Sequence, residues 1–147
     1  MAEAEHAVFD EISTPISGVM PDQLPAVWER VEPLFQRVVK PQTGATMESV
    51  VQELMHGYLS LWVIGDFQAI TCTKILDRPA GRVLWNEWMA GDNMDEWVSD
   101  WLKVQEAYAR AHECTAIEFA GRIGYLKKYN PQFQEFRAMR TIYRQEL

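Results

Sequence analysis

GRVLWNEWMAG, residues 81–91, reads as one long strand: β-branched and aromatic residues fill it and a glycine bounds each end. DNMDEW (92–97) follows as an acidic loop, after which Trp97, Trp101, Val104, Tyr108 and Ala111 recur at a spacing that places them on one face of a helix. TAIEF (115–119), short and rich in β-formers, is a second strand, reached through that helix, and AGRIGY closes the stretch at residue 125. A helical crossover returns the chain in the same direction, so TAIEF is expected to pair parallel to an earlier strand. The striped helix face must lie on the sheet.

Working outward, LSLWVIG (59–65) and FQAITCTKIL (67–76) are rich in β-formers and meet at Gly65-Asp66, a pair suited to a tight hairpin. A second turn at Asp77-Arg78-Pro79-Ala80-Gly81 leads into the long strand, giving a three-strand antiparallel meander. Two helices precede it. The first has Asp22 as an N-cap, Pro25 in its first turn and Val27, Val31, Leu34 and Val38 at helical spacing; Pro33 inside the pattern is expected to kink or split it. The second follows KPQTGA, with Thr46 as cap, Met47, Val50, Val51 and Leu54 as its apolar stripe, and an end near Gly57. Residues 1–20 read as an arm or edge strand interrupted by Pro15 and Gly18. A brief helix over 122–129 and a strand-like segment over 133–144 close the chain. The class is α/β (α+β), a mixed, mostly antiparallel sheet flanked by helices, in one domain spanning residues 1–147.

Composition supports one core. The 147 residues are 48% hydrophobic and 24% charged, with six tryptophans, and no apolar run reaches the ~20 residues that cross a bilayer. The start, MAEAEHAVFDEIS, is acidic and lacks the basic end and apolar run of a secretory signal, so no secretion and no membrane partner are expected. Cys72 and Cys114 have no CxxC or histidine spacing and read as reduced thiols. His6, His56 and His112 are scattered without HxxxH spacing, so no metal site is expected. A net charge of −7 argues against a nucleic-acid partner, although residues 122–147 carry six basic side chains against two acidic ones.

The order of elements from Leu24 to Leu147 resembles the GNAT N-acyltransferase superfamily, and within it small phage-encoded GNAT-like proteins. The residues that carry the resemblance are Leu61-Trp62-Val63, Asp95-Glu96-Trp97 and Gly121-Arg122-Ile123-Gly124-Tyr125. It implies acetyl-CoA held between two splayed strands, with its pyrophosphate on the amides of a glycine-rich loop opening the long helix. The positions matching that strand and loop are Trp88, Met89, Ala90, Gly91 and Asn93, with Arg122 as a further phosphate contact. The loop departs from the superfamily's pattern: from Ala90 to Glu96 it has one glycine, no basic residue and three acids. Asn93 and Glu96 also read as a capping-box-like pair whose side chains would occupy the amides a phosphate needs.

By the same resemblance a carboxylate on the central strand takes the proton from an attacking amine, and a tyrosine late in the fold protonates the leaving thiolate. Glu87 is the matching acid; burial between Trp85 and Trp88 would raise its pKa toward a useful range. Tyr125 and Tyr129 stand near the tyrosine position, and the slot itself falls on Leu126. Packing is the other reading of Tyr125. Two functions stay open. One is a non-catalytic phage protein, a virion or accessory component in the host cytoplasm or the virion, binding a phage structural protein or forming a homo-oligomer. The other is an acetyl-CoA-dependent N-acetyltransferase, with main-chain amides near Trp88 to Ala90 polarising the thioester.

Overall fold

The computed structural model describes residues 12–120 together with Phe136 and Gln145. The expectations for residues 1–11, the helix over 122–129 and the strand over 133–144 lie outside the described residues. Strand β1 (Ile16–Val19) leads through a 3-10 turn at Pro21–Gln23 into helix α1 (Leu24–Val38). A second 3-10 turn, Pro41–Thr43, precedes helix α2 (Met47–Met55). Strands β2 (Ser60–Ile64), β3 (Ala69–Arg78) and β4 (Gly81–Gly91) form the meander; helix α3 (Met94–Ala111) then crosses over to β5 (Ala116–Phe119). The sheet order is β1-β2-β3-β4-β5, antiparallel throughout except for the parallel β4–β5 pair that the crossover leads to.

Pro33 neither splits nor ends α1, which runs unbroken to Val38. The proline is exposed, so the carbonyl it leaves without an N–H partner is solvated, while Val31, Leu34 and Phe35 on the other face are buried and hold the helix against the sheet. Thr46 caps α2 as expected: its hydroxyl accepts from the Ser49 amide at 3.0 Å, and the Ser49 hydroxyl accepts from the Thr46 amide at 2.9 Å. The second hairpin is tighter than the sequence suggested, because β3 continues to Arg78 and only Pro79 and Ala80 form its tip.

The sheet is buried on both faces, which is why LWVI is apolar at every position and not at alternate ones. Leu61 and Val63 join Ile70, Cys72, Trp88 and Ala90 under α1 and α2. Trp62 and Ile64 face the other way, onto Trp97, Val98, Trp101 and Val104 of α3. Trp62 is the hub of that second layer: its ring lies 5.5 Å from Trp101 and 5.0 Å from Tyr108, and its Nε1 donates to Thr73 Oγ1 at 3.1 Å. Asp100, buried on α3, accepts from the Thr14 amide at 3.0 Å and from the Ser13 amide and hydroxyl at 3.3 Å, so one carboxylate ties the start of β1 to the long helix.

Candidate functional site

Between Cys72 and Thr73 the β3–β4 register shifts: Cys72 faces Trp88, Thr73 faces Asn86, and Glu87 is the extra residue of a β-bulge. The bulge inverts the alternation of side chains along β4. Asn86 lies on the α3 side, where it meets Gln105, whereas Trp88 lies in the layer under α1 and α2. Glu87 shares that second side. It accepts a hydrogen bond from Trp85 Nε1, and its carboxylate acts on the Cys72 thiol, which burial foremost and then Glu87 and Glu53 push well above the ordinary thiol range. Lys74, opposite Trp85, is ion-paired with Glu53 of α2 at 2.6 Å on the same side.

The β4–β5 ladder runs from Val83↔Ala116 to Asn86↔Phe119 and ends there. From Glu87 to Gly91 strand β4 continues with no β5 partner among the described residues, which leaves main-chain groups along that edge. A cleft of about 190 Å³ opens at this point, between Asn86–Met89 on one side and Phe119 and Ala120 on the other, and is lined also by Val38 of α1 and Met94 of α3. Glu87, Trp88 and Met89 thus line one cavity, while Ala90 is buried in the α1–α2 layer. Gly91, at φ 153°, is required by β3: a Cβ there would overlap Ala69. Arg122, Tyr125 and Tyr129 lie outside the described residues.

The loop differs from its sequence reading. Asn93 takes the left-handed conformation, φ 55° and ψ 47°, and its side chain caps nothing, so the capping-box-like pair does not form. Glu96 instead accepts from Gln68 Nε2 at 3.0 Å, and its amide bonds the Asn93 carbonyl at 2.9 Å. Among the described residues, no side chain caps the first turn of α3. Asp92 is met by Arg37 of α1, with Nη2–Oδ1 at 3.0 Å and Nη1–Oδ2 at 3.4 Å. The loop contains no cation, but the fold brings one from a helix far earlier in the chain. Both partners are about half or more exposed, so the pair contributes at most ~1 kcal/mol to stability. Arg37 could not be found from local sequence, because nothing near it marks α1 as the neighbour of the 92–97 loop.

Among the described residues, no group of three or more His, Cys, Asp or Glu stands together to hold a metal ion, and no helix is long and apolar enough to cross a membrane.

No protein-family model matches the chain, and no curated protein matches its sequence. Solved structures do match it in shape. An aminoglycoside acetyltransferase from an uncultured soil metagenomic sample aligns with a TM-score of 0.68 at 10% identity, over 91% of this chain and 96% of that one. The ribosomal-protein-alanine N-acetyltransferase of Brucella melitensis biovar Abortus 2308 aligns with 0.64 at 10% identity, over 92% and 99%. A GCN5-related N-acetyltransferase of Ralstonia eutropha JMP134 aligns with 0.60 at 12% identity, over 91% and 99%. The chain has the GNAT fold: a mixed, mostly antiparallel sheet flanked by helices, with its cleft where the parallel pair ends. The agreement covers nearly the full length of these acetyltransferases, so the resemblance first carried by short motifs extends to the order of all described elements.

Proposed function

We propose that this protein is an acyl-CoA-dependent N-acyltransferase that passes an acetyl group to an amine by direct attack. The bulge at Glu87 carries the reading: it sets a carboxylate into the cleft at the point where β4 loses its partner, and leaves a strand edge beside it. The residues present fit acetyl-CoA. Its phosphates would meet the uncapped start of α3 and the guanidinium of Arg37, and its arm would run along the edge from Trp88 to Ala90. Bound there, acetyl-CoA supplies an acyl group already activated as a thioester.

Glu87 stands on the α1–α2 side of the sheet, opposite the start of α3, so an amine entering from that side meets its carboxylate. There it holds the amine and takes a proton from its nitrogen, while the Trp85 N–H fixes the orientation of the carboxylate. Amides of the free edge near Trp88 are placed to hold developing negative charge. The solved neighbours that act on an aminoglycoside or on a ribosomal-protein alanine make amines the acceptors to try first. Purified protein with acetyl-CoA and a panel of primary amines, followed by release of free thiol, tests the reaction. Amine-dependent thiol release supports it; no release across the panel with CoA bound would contradict it.

Asp92 holds the Arg37 guanidinium and adds a like charge toward phosphate. Asp92→Asn is therefore expected to tighten CoA binding about two- to fivefold in a calorimetric titration. Equal or weaker binding would show that Arg37 does not face the phosphates.

A second reading is favoured by one observation, the three carboxylates of Asp92, Asp95 and Glu96 at the start of α3. It makes the protein a non-catalytic GNAT-like scaffold, phage-encoded and docking on a phage structural protein or on a second copy of itself. Under that reading CoA leaves the melting temperature unmoved, and light scattering finds a discrete oligomer or a complex with the structural protein.

A further inference from the structure

The bulge that presents Glu87 has to be held at one residue of β4, because the side-chain period of a strand lets a slip of one position exchange its two faces. Thr73 faces α3, since it accepts from Trp62 Nε1, and Asn86 is its partner on β4. Cys72, with Trp88 as its partner, faces α1 and α2. Were Asn86 the extra residue, Glu87 would stand opposite Thr73 and turn onto the layer of Trp97, Trp101 and Val104. The acceptor side would then have no carboxylate from β4.

Asn86 is pinned from two directions. Its Nδ2 donates to Gln105 Oε1 of α3 at 2.6 Å and to the main-chain carbonyl of Glu118 on β5 at 3.1 Å, so both hydrogens of the amide are used. Asn86 is 5% exposed and Gln105 3%, on the α3 side of the sheet. In the slipped register Gln105 Oε1 would lose its donor, and the Glu87 carboxylate would enter an apolar layer as a buried charge. Both penalties act on register. Net stability gives the pair little reason to exist, since apolar groups of similar shape in place of both partners of a buried hydrogen bond are nearly neutral.

We propose that Gln105 is a positioning residue for Glu87: through Asn86 it fixes the bulge at Glu87 and so keeps the base on the acceptor side of the sheet. The long helix that begins at the 92–97 loop thereby sets, from its third turn, which way a side chain of β4 points. The inference rests on the acyltransferase reading, in which Glu87 takes the proton of the amine.

Amine-dependent thiol release, CoA titration and thermal unfolding of the full-length chain test it on Gln105→Met and on the double variant Asn86→Leu/Gln105→Met, each with and without Glu87→Gln. Gln105→Met is expected to lower kcat about tenfold or more, with the Kd for CoA within about twofold of wild type. The double variant, with both polar partners gone, is expected to melt within about 3 °C of wild type while its kcat stays low. A pair that served stability alone would regain kcat as the melting temperature recovers. Glu87→Gln is expected to change kcat by less than about fivefold in the double-variant background, because the carboxylate it removes is already out of place. A kcat for Gln105→Met within about twofold of wild type, a double variant that fails to fold or melts lower than that margin, or a Glu87→Gln effect of full size in its background would overturn the inference and leave the acyltransferase reading in place. A wild-type protein that releases no thiol with any amine would overturn that reading and the inference with it.

Discussion

Glu87→Gln is expected to lower kcat for amine acetylation by at least a hundredfold, with the Kd for CoA within twofold of wild type. The substitution keeps the shape of the side chain and an oxygen for Trp85 Nε1 to donate to, but removes the group that takes the amine proton. General-base catalysis by a positioned side chain contributes about 10²–10⁴-fold, which sets the size of the effect. The reason to expect it here is positional. Glu87 is the extra residue of the bulge, lines the cleft beside Trp88, and lies on the face away from the start of α3. An unchanged kcat would mean that the proton leaves by another route, and that the Trp85–Glu87 contact is structural.

Trp101→Ala is expected to have the largest effect on stability, about 3–5 kcal/mol. Trp101 is 1% exposed, packs at 5.5 Å against Trp62, and belongs to the layer that joins α3 to β2 and β1. Its indole Nε1 has no partner among the described residues, so truncation sacrifices no hydrogen bond that could soften or confuse the result. For a domain of this length the loss corresponds to a fall in melting temperature of roughly 10–15 °C. The same variant is informative about the cleft, because α3 carries Met94 to it and holds Asn86, which lines it, through Gln105. A fall below about 3 °C would show that this layer is not the main anchor of the long helix.

The elements were legible because their periods are strong. Trp97, Trp101 and Val104 recur on one helix face and are all buried, and the crossover through that helix yields the parallel β4–β5 pair expected from it. Thr46 was legible as a cap because the reciprocal bond with Ser49 is local. The bulge was harder to see. Its one signal is the spacing of Trp85 and Trp88, three apart in a strand whose period is two, with Asn86 and Glu87 between them.

Asp22 lies in the 3-10 turn and Gln23 takes the N-cap position of α1, and two further readings failed for identifiable reasons. Pro33 was expected to interrupt α1, but burial of the opposite face outweighs one missing hydrogen bond on a solvated one. Asn93 was expected to cap α3, and its type suits that role; the chain leaves Gly91 in an extended positive-φ conformation and passes Asn93 in the left-handed region, which carries the side chain away from the helix amides. The acidity of the loop was read correctly as sequence and incompletely as electrostatics. Asp92 is met by Arg37 and Glu96 by Gln68, contacts that join residues 55 and 28 positions apart and that only the fold brings together.

The central claim is that the cleft where β4 and β5 part receives an acyl-CoA. Thermal unfolding of the purified protein in increasing CoA measures this directly, because a ligand that binds only the folded state stabilises it by RT ln(1 + [L]/Kd). At a hundredfold excess over Kd the gain is about 2.7 kcal/mol, which for a domain of this length raises the melting temperature by roughly 5–10 °C and follows the saturation curve of a single site. A melting temperature that stays flat up to millimolar CoA would contradict the account.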